Sequence, residues 1–175
     1  MTLVHDPSEL DGALAEAFRH DTIALAETYL PGARDIEVAV LGSGARLELY
    51  GPGEIVSGHE FYDYAAKYTA GLSETSTRAE VTDAQRATLK KIARDAFRVI
   101  GGDGFSRVDF LLVGERIVLS EINTIPGFTP ISLFPTMPAE GGYSFTDVCI
   151  RIVDIAIERH AARAGRRLTP ADLPR

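Results

Sequence analysis

Four polar side chains in an otherwise apolar stretch could bind a metal ion and phosphate: Arg107, Asp109, Glu121 and Asn123. Two predicted strands, 105–113 and 117–122, carry them, and alternate side chains of a strand share a face. A three-residue turn at 114–116 would place Asp109 opposite Glu121, where two carboxylates repel each other. Mg²⁺ removes such repulsion and typically takes one or two carboxylates with phosphate oxygens. The spacing predicts a metal–phosphate site, and a solvated hairpin with ordinary surface charges is the alternative.

The loop after the second strand adds two candidates, Gly127 and Ser132. Glycine lets a backbone N–H approach a ligand closely, so this loop suits an oxyanion or a carboxylate. A plain turn is the alternative, because a Pro-Gly pair needs no further reason there. The Ser132 hydroxyl could hold a substrate carboxylate near a helix start, and a solvated serine is the alternative. No nucleophile elbow accompanies Ser132, so we do not predict that it is a nucleophile.

Two charged residues elsewhere suit a nucleotide. Lys67 belongs to an aromatic run at 61–68, inside a stretch at 58–81 that shows no regular period. Such long connections are usually functional loops or linkers, and a closing lid would bring this lysine onto phosphates. The alternative is an ordinary exposed lysine. Glu27 ends an apolar segment and could accept from an exocyclic amine or a ribose, with a surface carboxylate as the alternative.

Strands and helices alternate irregularly along the chain. Strands are predicted at 22–30, 35–41, 45–50 and 52–57, besides the hairpin. A capped helix is predicted from Asp6, a longer one from Thr82 to Gly101 with Ile100 facing inward, a short one near 131–134, and a last one from Tyr143. The last helix should turn four residues to the core: Val148, Ile152, Ile155 and Ala156. This pattern favours an α+β fold with a largely antiparallel sheet backed by helices.

Composition limits the class of protein. The chain has 175 residues, of which 45% are hydrophobic, as expected of a globular domain. We place that domain at 1–164, followed by a loose basic tail at 165–175. A net charge of −7 argues against nucleic acid or a membrane surface as partner. The single cysteine, Cys149, is predicted to be a small core residue. No run approaches the ~20 apolar residues of a membrane span, and no signal peptide is recognised, so we expect a cytoplasmic protein.

Taken in order, the segments resemble the C-terminal part of the ATP-grasp fold found in D-alanine–D-alanine ligases. The resemblance is carried by 27–30, 36–40, 61–68, 104–110 and 121–132, and the last two segments are the most specific. It implies ATP- and Mg²⁺-dependent ligation of two D-alanine molecules through an acyl phosphate, for peptidoglycan precursor synthesis. It also implies that Asp109, Glu121 and Asn123 bind Mg²⁺ (or Mn²⁺), while Arg107 and the Gly127 N–H stabilise the tetrahedral transition state.

The same resemblance implies further contacts with substrates. Lys67 corresponds to a loop lysine on the ATP phosphates, and Tyr68 to a tyrosine of the D-alanine-using members. Ser132 and Leu133 match positions around the carboxylate of the second D-alanine. Glu27 corresponds to a glutamate beside adenine. Asp35 stands where the family usually has a ribose-binding glutamate, after a one-residue insertion at Ala33.

A full ligase of this family also carries an N-terminal domain, two ATP-contacting lysines and a Gly/Ser-rich phosphate loop. We recognise none of these in the chain, so we expect half of an active site, in a fragment, a truncated gene product or one half of a split enzyme. A separate N-terminal half or a second copy in a homodimer is the expected protein partner. Two alternatives stay open. One is a non-catalytic ATP-grasp module that acts in nucleotide binding or self-association. The other is a ligase whose second acceptor is D-serine or D-lactate, and Tyr68 disfavours D-lactate by resemblance.

Overall fold

A computed structural model describes residues 1–57 and 73–164, and its framework is a five-stranded sheet. The strands are β1 (Arg34–Ser43), β2 (Arg46–Ser57), β3 (Ser73–Ser76), β4 (Gly104–Val113) and β5 (Arg116–Asn123). They lie in the order β3-β2-β1-β4-β5, with antiparallel neighbours throughout. The helices are α1 (Leu10–Ala17), α2 (Asp83–Val99), α3 (Leu133–Thr136) and α4 (Phe145–Ala164), with 3₁₀ turns at Pro7–Glu9 and Met137–Gly141. The predicted α+β class is confirmed.

The central strand β1 is buried on both faces and divides the core in two. On one face, α2 covers the even-numbered residues Ile36, Val38 and Val40. On the other face, Ala39 and Leu41 pack under a second cluster: Leu133, Phe134, Met137 and Ile155. Because alternate residues of a strand point to opposite sides, the other odd-numbered residues of β1 and β4 share this second face. Four of them are polar, namely Asp35, Glu37, Arg107 and Asp109, so this face of the sheet carries a polar group beside the apolar cluster.

Both predicted helix caps are confirmed. The Thr82 hydroxyl accepts from the Gln85 N–H at 3.2 Å, and the Gln85 side chain accepts from the Thr82 N–H at 3.0 Å. Asp6 and Glu9 form the same reciprocal cap at the first turn. The prediction that Ile100 faces inward is wrong, because it follows the last turn of α2 and is 51% exposed.

Three strand predictions need correction. Residues 22–30 form no strand and lie outside the five-stranded sheet. The two strands predicted at 45–50 and 52–57 are one strand, β2. Pro52 lies where its register with β1 shifts, a position that tolerates a residue without an N–H. The short polar strand β3 was not predicted.

The last helix is confirmed with two corrections to its buried face. Val148 and Ile155 are buried and Ile152 packs against the core, but Ala156 is exposed. Cys149 is half-buried instead of being a core residue. The aromatic run at 61–68 and the tail at 165–175 lie outside the described residues. Within the described parts of the chain, none of the helices has both the length and the apolar character that a membrane span requires.

Candidate functional site

The β4–β5 hairpin places Asp109 directly opposite Glu121, which confirms the predicted pairing. The turn is shorter than predicted, because Val113 pairs with Arg116 and two residues form it. An extra residue in β5, Ser120, follows the Phe110–Leu119 pair and restores the register. A shift of one residue turns every later side chain to the other face. The bulge at Ser120 therefore brings Glu121 and Asn123 onto the face that carries Asp109.

Hydrogen bonds join the four predicted residues of this hairpin. Arg107 donates from Nε to Oδ1 of Asp109 at 2.8 Å and from Nη2 to Oδ2 at 2.6 Å. The Asn123 amide nitrogen donates to Asp109 Oδ2 and to Glu121 Oε1, at 2.8 Å in each case. One donor thus bridges two carboxylates, so the two acids converge on a common point beside a guanidinium.

Glu37 belongs to the same group, although we assigned it no role from the sequence. It lies opposite Asp109 in the β1–β4 register, and its Oε1 is 3.2 Å from Arg107 Nε. The side chains of Glu37 and Arg107 are only 4% and 11% exposed. A carboxylate in the middle of an apolar strand is the signal that could have found it, since glutamate is rarely buried without a partner.

Burial shapes the electrostatics of this face. It raises the pKa of Asp109, and the hydrogen bonds from Arg107 and Asn123 only partly oppose this effect. Burial, with the charges of Asp109 and Glu54, also raises the pKa of Asp35. For Arg107, burial acts to lower the pKa, but its bonds to Asp109 and the charge of Glu37 raise it overall. Acids outnumber the guanidinium here, so an added cation would relieve unfavourable charge.

Replacing Asp35 with asparagine should stabilise the protein at pH 7. A carboxyl whose pKa is raised by folding contributes fully to stability at pH values below its pKa in the unfolded chain, which is near 3.8. That contribution is lost as the pH rises through the raised pKa, so removing the charge should gain up to about 1 kcal/mol at pH 7, after solvent screening. The gain should disappear near pH 3, as measured by urea unfolding at both pH values.

Asp95→Asn is the matched control for this change. The Asp95 side chain is 49% exposed on α2 and pairs with Lys91, which lowers its pKa through their hydrogen bond. The sign is therefore opposite, and this variant should show no gain at pH 7. A loss of stability in Asp35→Asn at pH 7 would contradict the interpretation.

The loop at 124–132 brings Gly127 and Ser132 together. A Cβ on Gly127 would lie 3.1 Å from Ser132 Oγ. The same Oγ accepts from the Thr129 N–H at 3.1 Å and lies 2.8 Å from Thr129 Oγ1, so the hydroxyl closes the loop. Phe128 anchors it, with ring centroids 5.7 Å from Phe134 and 5.2 Å from Phe145. The helix after it, α3, has four residues, and Ser132 makes no side-chain capping bond to it.

The remaining predicted residues take no part in the hydrogen bonds of the hairpin group. Asp35 shares the face and interacts electrostatically with Asp109. Glu27 is exposed on the irregular segment at 22–30. Lys67 and Tyr68 lie outside the described residues, so their predicted roles stay predictions.

The hairpin residues suit Mg²⁺ by the chemistry of their donors. Across residues 1–57 and 73–164, no group of three or more His, Cys, Asp and Glu is placed to hold a metal ion. The candidate set is therefore two carboxylates and an amide, and Mg²⁺ commonly takes one or two carboxylates plus substrate phosphates. Asn123 carries an amide oxygen as well as the bridging nitrogen, so a half-turn of the amide would present a third oxygen.

A second network holds α4 on the sheet. The Glu48 carboxylate accepts from Tyr50 at 2.5 Å, from Tyr143 at 3.0 Å and from Arg151 at 3.3 Å. Burial acts to raise the pKa of Glu48, but these three donors outweigh it and lower the pKa overall. We predicted none of these contacts, and two of them join Glu48 to residues that lie 95 and 103 positions away in the sequence.

Two curated relatives illustrate the sequence similarity. The D-alanine–D-alanine ligase of Bacillus velezensis is 39% identical over 156 residues, which is 89% of this chain and 44% of the relative. The D-alanine–D-alanine ligase of Heliobacterium modesticaldum is 42% identical over 171 residues, which is 96% of this chain and 45% of the relative. The chain thus spans somewhat less than half the length of these proteins.

Solved structures agree with the sequence comparison. The D-alanine–D-alanine ligase of Coxiella burnetii superposes with a TM-score of 0.78 at 30% identity, over 93% of this chain and 42% of that one. The VanG D-Ala:D-Ser ligase of Enterococcus faecalis gives 0.73 at 33% identity, over 86% and 43%. The Bacillus anthracis D-alanine–D-alanine ligase complexed with ATP gives 0.76 at 22% identity over 93% and 52%, a likeness of fold. The family described as D-ala D-ala ligase C-terminus matches residues 1–154, and the chain belongs to that family.

Proposed function

We propose that this chain supplies the C-terminal half of an ATP- and Mg²⁺-dependent ligase site that joins two D-alanine molecules for peptidoglycan precursors. The observation that carries the proposal is the convergence of Asp109 and Glu121 on the Asn123 amide, beside the buried Arg107. The activity named for the relatives, which match at about 40% identity, supports the choice of reaction.

Asp109, Glu121 and Asn123 would hold Mg²⁺, which neutralises phosphate charge and orients the transferred phosphoryl group when it is bound. The protein's part is to present these three oxygen donors from two paired strands. Because β4 and β5 pair from Arg107–Asn123 to Val113–Arg116, the backbone that carries the donors is held by rigid elements.

In the proposed reaction, ATP phosphorylates the carboxylate of one D-alanine, and the amine of a second D-alanine attacks the resulting acyl phosphate. The carbonyl oxygen becomes negative in the tetrahedral transition state, and phosphate then leaves. Arg107 and the Gly127 N–H would donate to that oxygen. Donors that are already oriented in a site shielded from water stabilise such charge strongly, and Arg107 is held by two acids while it is 11% exposed.

The other predicted residues would contact the nucleotide and the second D-alanine. Glu27 and Asp35 would contact adenine and ribose, and Lys67 the phosphates. Tyr68 and Ser132 would contact the second D-alanine. In this structure the Ser132 hydroxyl is bonded to Thr129, so a substrate carboxylate would have to share or replace that bond.

Mixing the chain with the N-terminal portion of a relative tests the function. The chain is mixed with the purified N-terminal portion of the Heliobacterium modesticaldum ligase, and phosphate release is followed with ATP, Mg²⁺ and D-alanine. We expect D-alanine-dependent phosphate release and D-alanyl-D-alanine by mass spectrometry only when both parts are present. The mixture made with Asp109→Asn should be inactive, and the one made with Asp95→Asn should be active.

The proposed function would be contradicted by a specific pair of results. An inactive mixture, together with no calorimetric heat when Mg-ATP is titrated into the chain alone, would contradict it. A stable self-associated state in the same samples would then favour a non-catalytic module. Substituting D-serine or D-lactate for the second D-alanine identifies the acceptor, and we expect D-alanine to give the most product.

A further inference from the structure

We infer that Glu37 is a positioning residue, which keeps Arg107 on the site face while Asp109 turns its carboxylate to a cation. The inference rests on the proposed function, because it concerns the same hairpin. It assigns a role to a residue that is not one of the proposed metal ligands and that lies outside the β4–β5 hairpin.

Arg107 has two acidic partners in different surroundings. Asp109 lies on the same strand, two residues away, and both of its oxygens accept from the guanidinium at 2.8 and 2.6 Å. Glu37 lies on the neighbouring strand, with its Oε1 3.2 Å from Arg107 Nε. The Asp109 side chain is 16% exposed and that of Glu37 is 4% exposed. Asp109 is therefore the more accessible of the two carboxylates, and Glu37 is enclosed.

A carboxylate with both oxygens bound to a guanidinium offers little to a metal ion. Asp109 must weaken at least one of these bonds to become a ligand. That step would leave a guanidinium that is 11% exposed with a weakened partner, and an uncompensated buried charge is strongly unfavourable. Glu37 supplies a second carboxylate at the same Nε, so Arg107 keeps its charge partner and its place.

The backbone of Glu37 is held on both sides by neighbouring strands. It lies in the central strand β1, which is bonded to β2 on one side and β4 on the other. Its direct neighbours in the two ladders are Gly53 and Asp109. Because neither edge of β1 is free, the backbone that carries Glu37 has little freedom to follow a metal.

A double-mutant cycle on the full chain tests this role, with Mn²⁺ as the probe and binding followed by calorimetry. Glu37→Gln should weaken Mn²⁺ binding about 10- to 100-fold, as the loss of outer-shell support usually does. In an Arg107→Met background the same substitution should not weaken Mn²⁺ binding, since no guanidinium is left to position and one of two repelling acids is removed. Equal effects in the two backgrounds would mean that Glu37 acts by its charge alone, or as a ligand, and would overturn the inference.

The Arg107 Nε–H proton resonance gives a second measurement that does not depend on the double variant. Its exchange with solvent should stay slow in the wild type when Mg²⁺ is added, and should speed up at least tenfold in Glu37→Gln. Glu37→Asp keeps the charge on a shorter side chain, and its exchange rate should lie between those of the wild type and Glu37→Gln. Unchanged exchange in both variants would overturn the inference. A wild type that binds no Mn²⁺ would instead refute the proposed function, and the metal-free exchange rates would still decide the role of Glu37.

Discussion

Replacing Arg107 with methionine should lower the free energy of unfolding by about 3–5 kcal/mol, the usual cost of removing one partner from a buried ionic group. Glu37 and Asp109 face each other across the β1–β4 ladder, and Arg107 contacts both of them. Without the guanidinium, two acids that are 4% and 16% exposed would repel each other in a poorly solvated place. Urea unfolding at pH 7 measures the loss.

The loss should shrink as the pH falls. Burial already raises the pKa of Asp109, and removing Arg107 takes away the hydrogen bond that opposes this rise. A raised pKa makes folding most favourable when the carboxyl is protonated, so the variant should regain stability at acid pH relative to the wild type. Arg116→Met is the matched control, because Arg116 is exposed at the start of β5 and should change stability by no more than about 0.5 kcal/mol. Similar losses in both variants would contradict the buried-charge interpretation.

Replacing Asp109 with asparagine should weaken Mn²⁺ binding in the presence of ATP by about a hundredfold or more. Losses of 10- to 100-fold follow from changes to groups that merely support a metal ligand, and Asp109 is proposed as a ligand itself. The substitution removes one of two converging charges but leaves the chain folded, because Arg107 keeps Glu37 as its partner. Calorimetric titration measures the affinity.

Asp95→Asn provides the matched control for that experiment, since it removes the same charge from an exposed position on α2. Its Mn²⁺ affinity should equal that of the wild type. Retained affinity in Asp109→Asn, with normal unfolding, would remove Asp109 from the site. Lost affinity together with a large loss of stability would show instead that the substitution disrupts the sheet.

Local patterns predicted the parts of the fold that depend on neighbouring residues. The cap at Thr82 and the start of α2 follow from side-chain hydrogen bonds within one turn. The pairing of Asp109 with Glu121 was also predicted, although through a longer turn than the real one. In the structure, the bulge at Ser120 offsets the shorter turn. The predicted pairing is therefore correct, although the predicted turn length is not.

Contacts between residues far apart in the sequence could not be predicted from such local patterns. The apolar segment at 22–30 has the composition of a strand, but it pairs with none of the five strands of the sheet. The Glu48 network depends on contacts about a hundred residues apart along the chain, as between Glu48 and Arg151. The placement of Lys67 and Tyr68 stays a prediction.

The sequence by itself determined the acids, the amide and the guanidinium of the hairpin and the family resemblance, because strand alternation and a short turn are local properties. Only the tertiary structure decided which residue supports them. Glu37 reaches Arg107 because β1 lies beside β4, although 70 residues separate the two in the sequence. Strand order depends on which edges are free and on the burial of two opposite faces, and these are properties of the whole sheet.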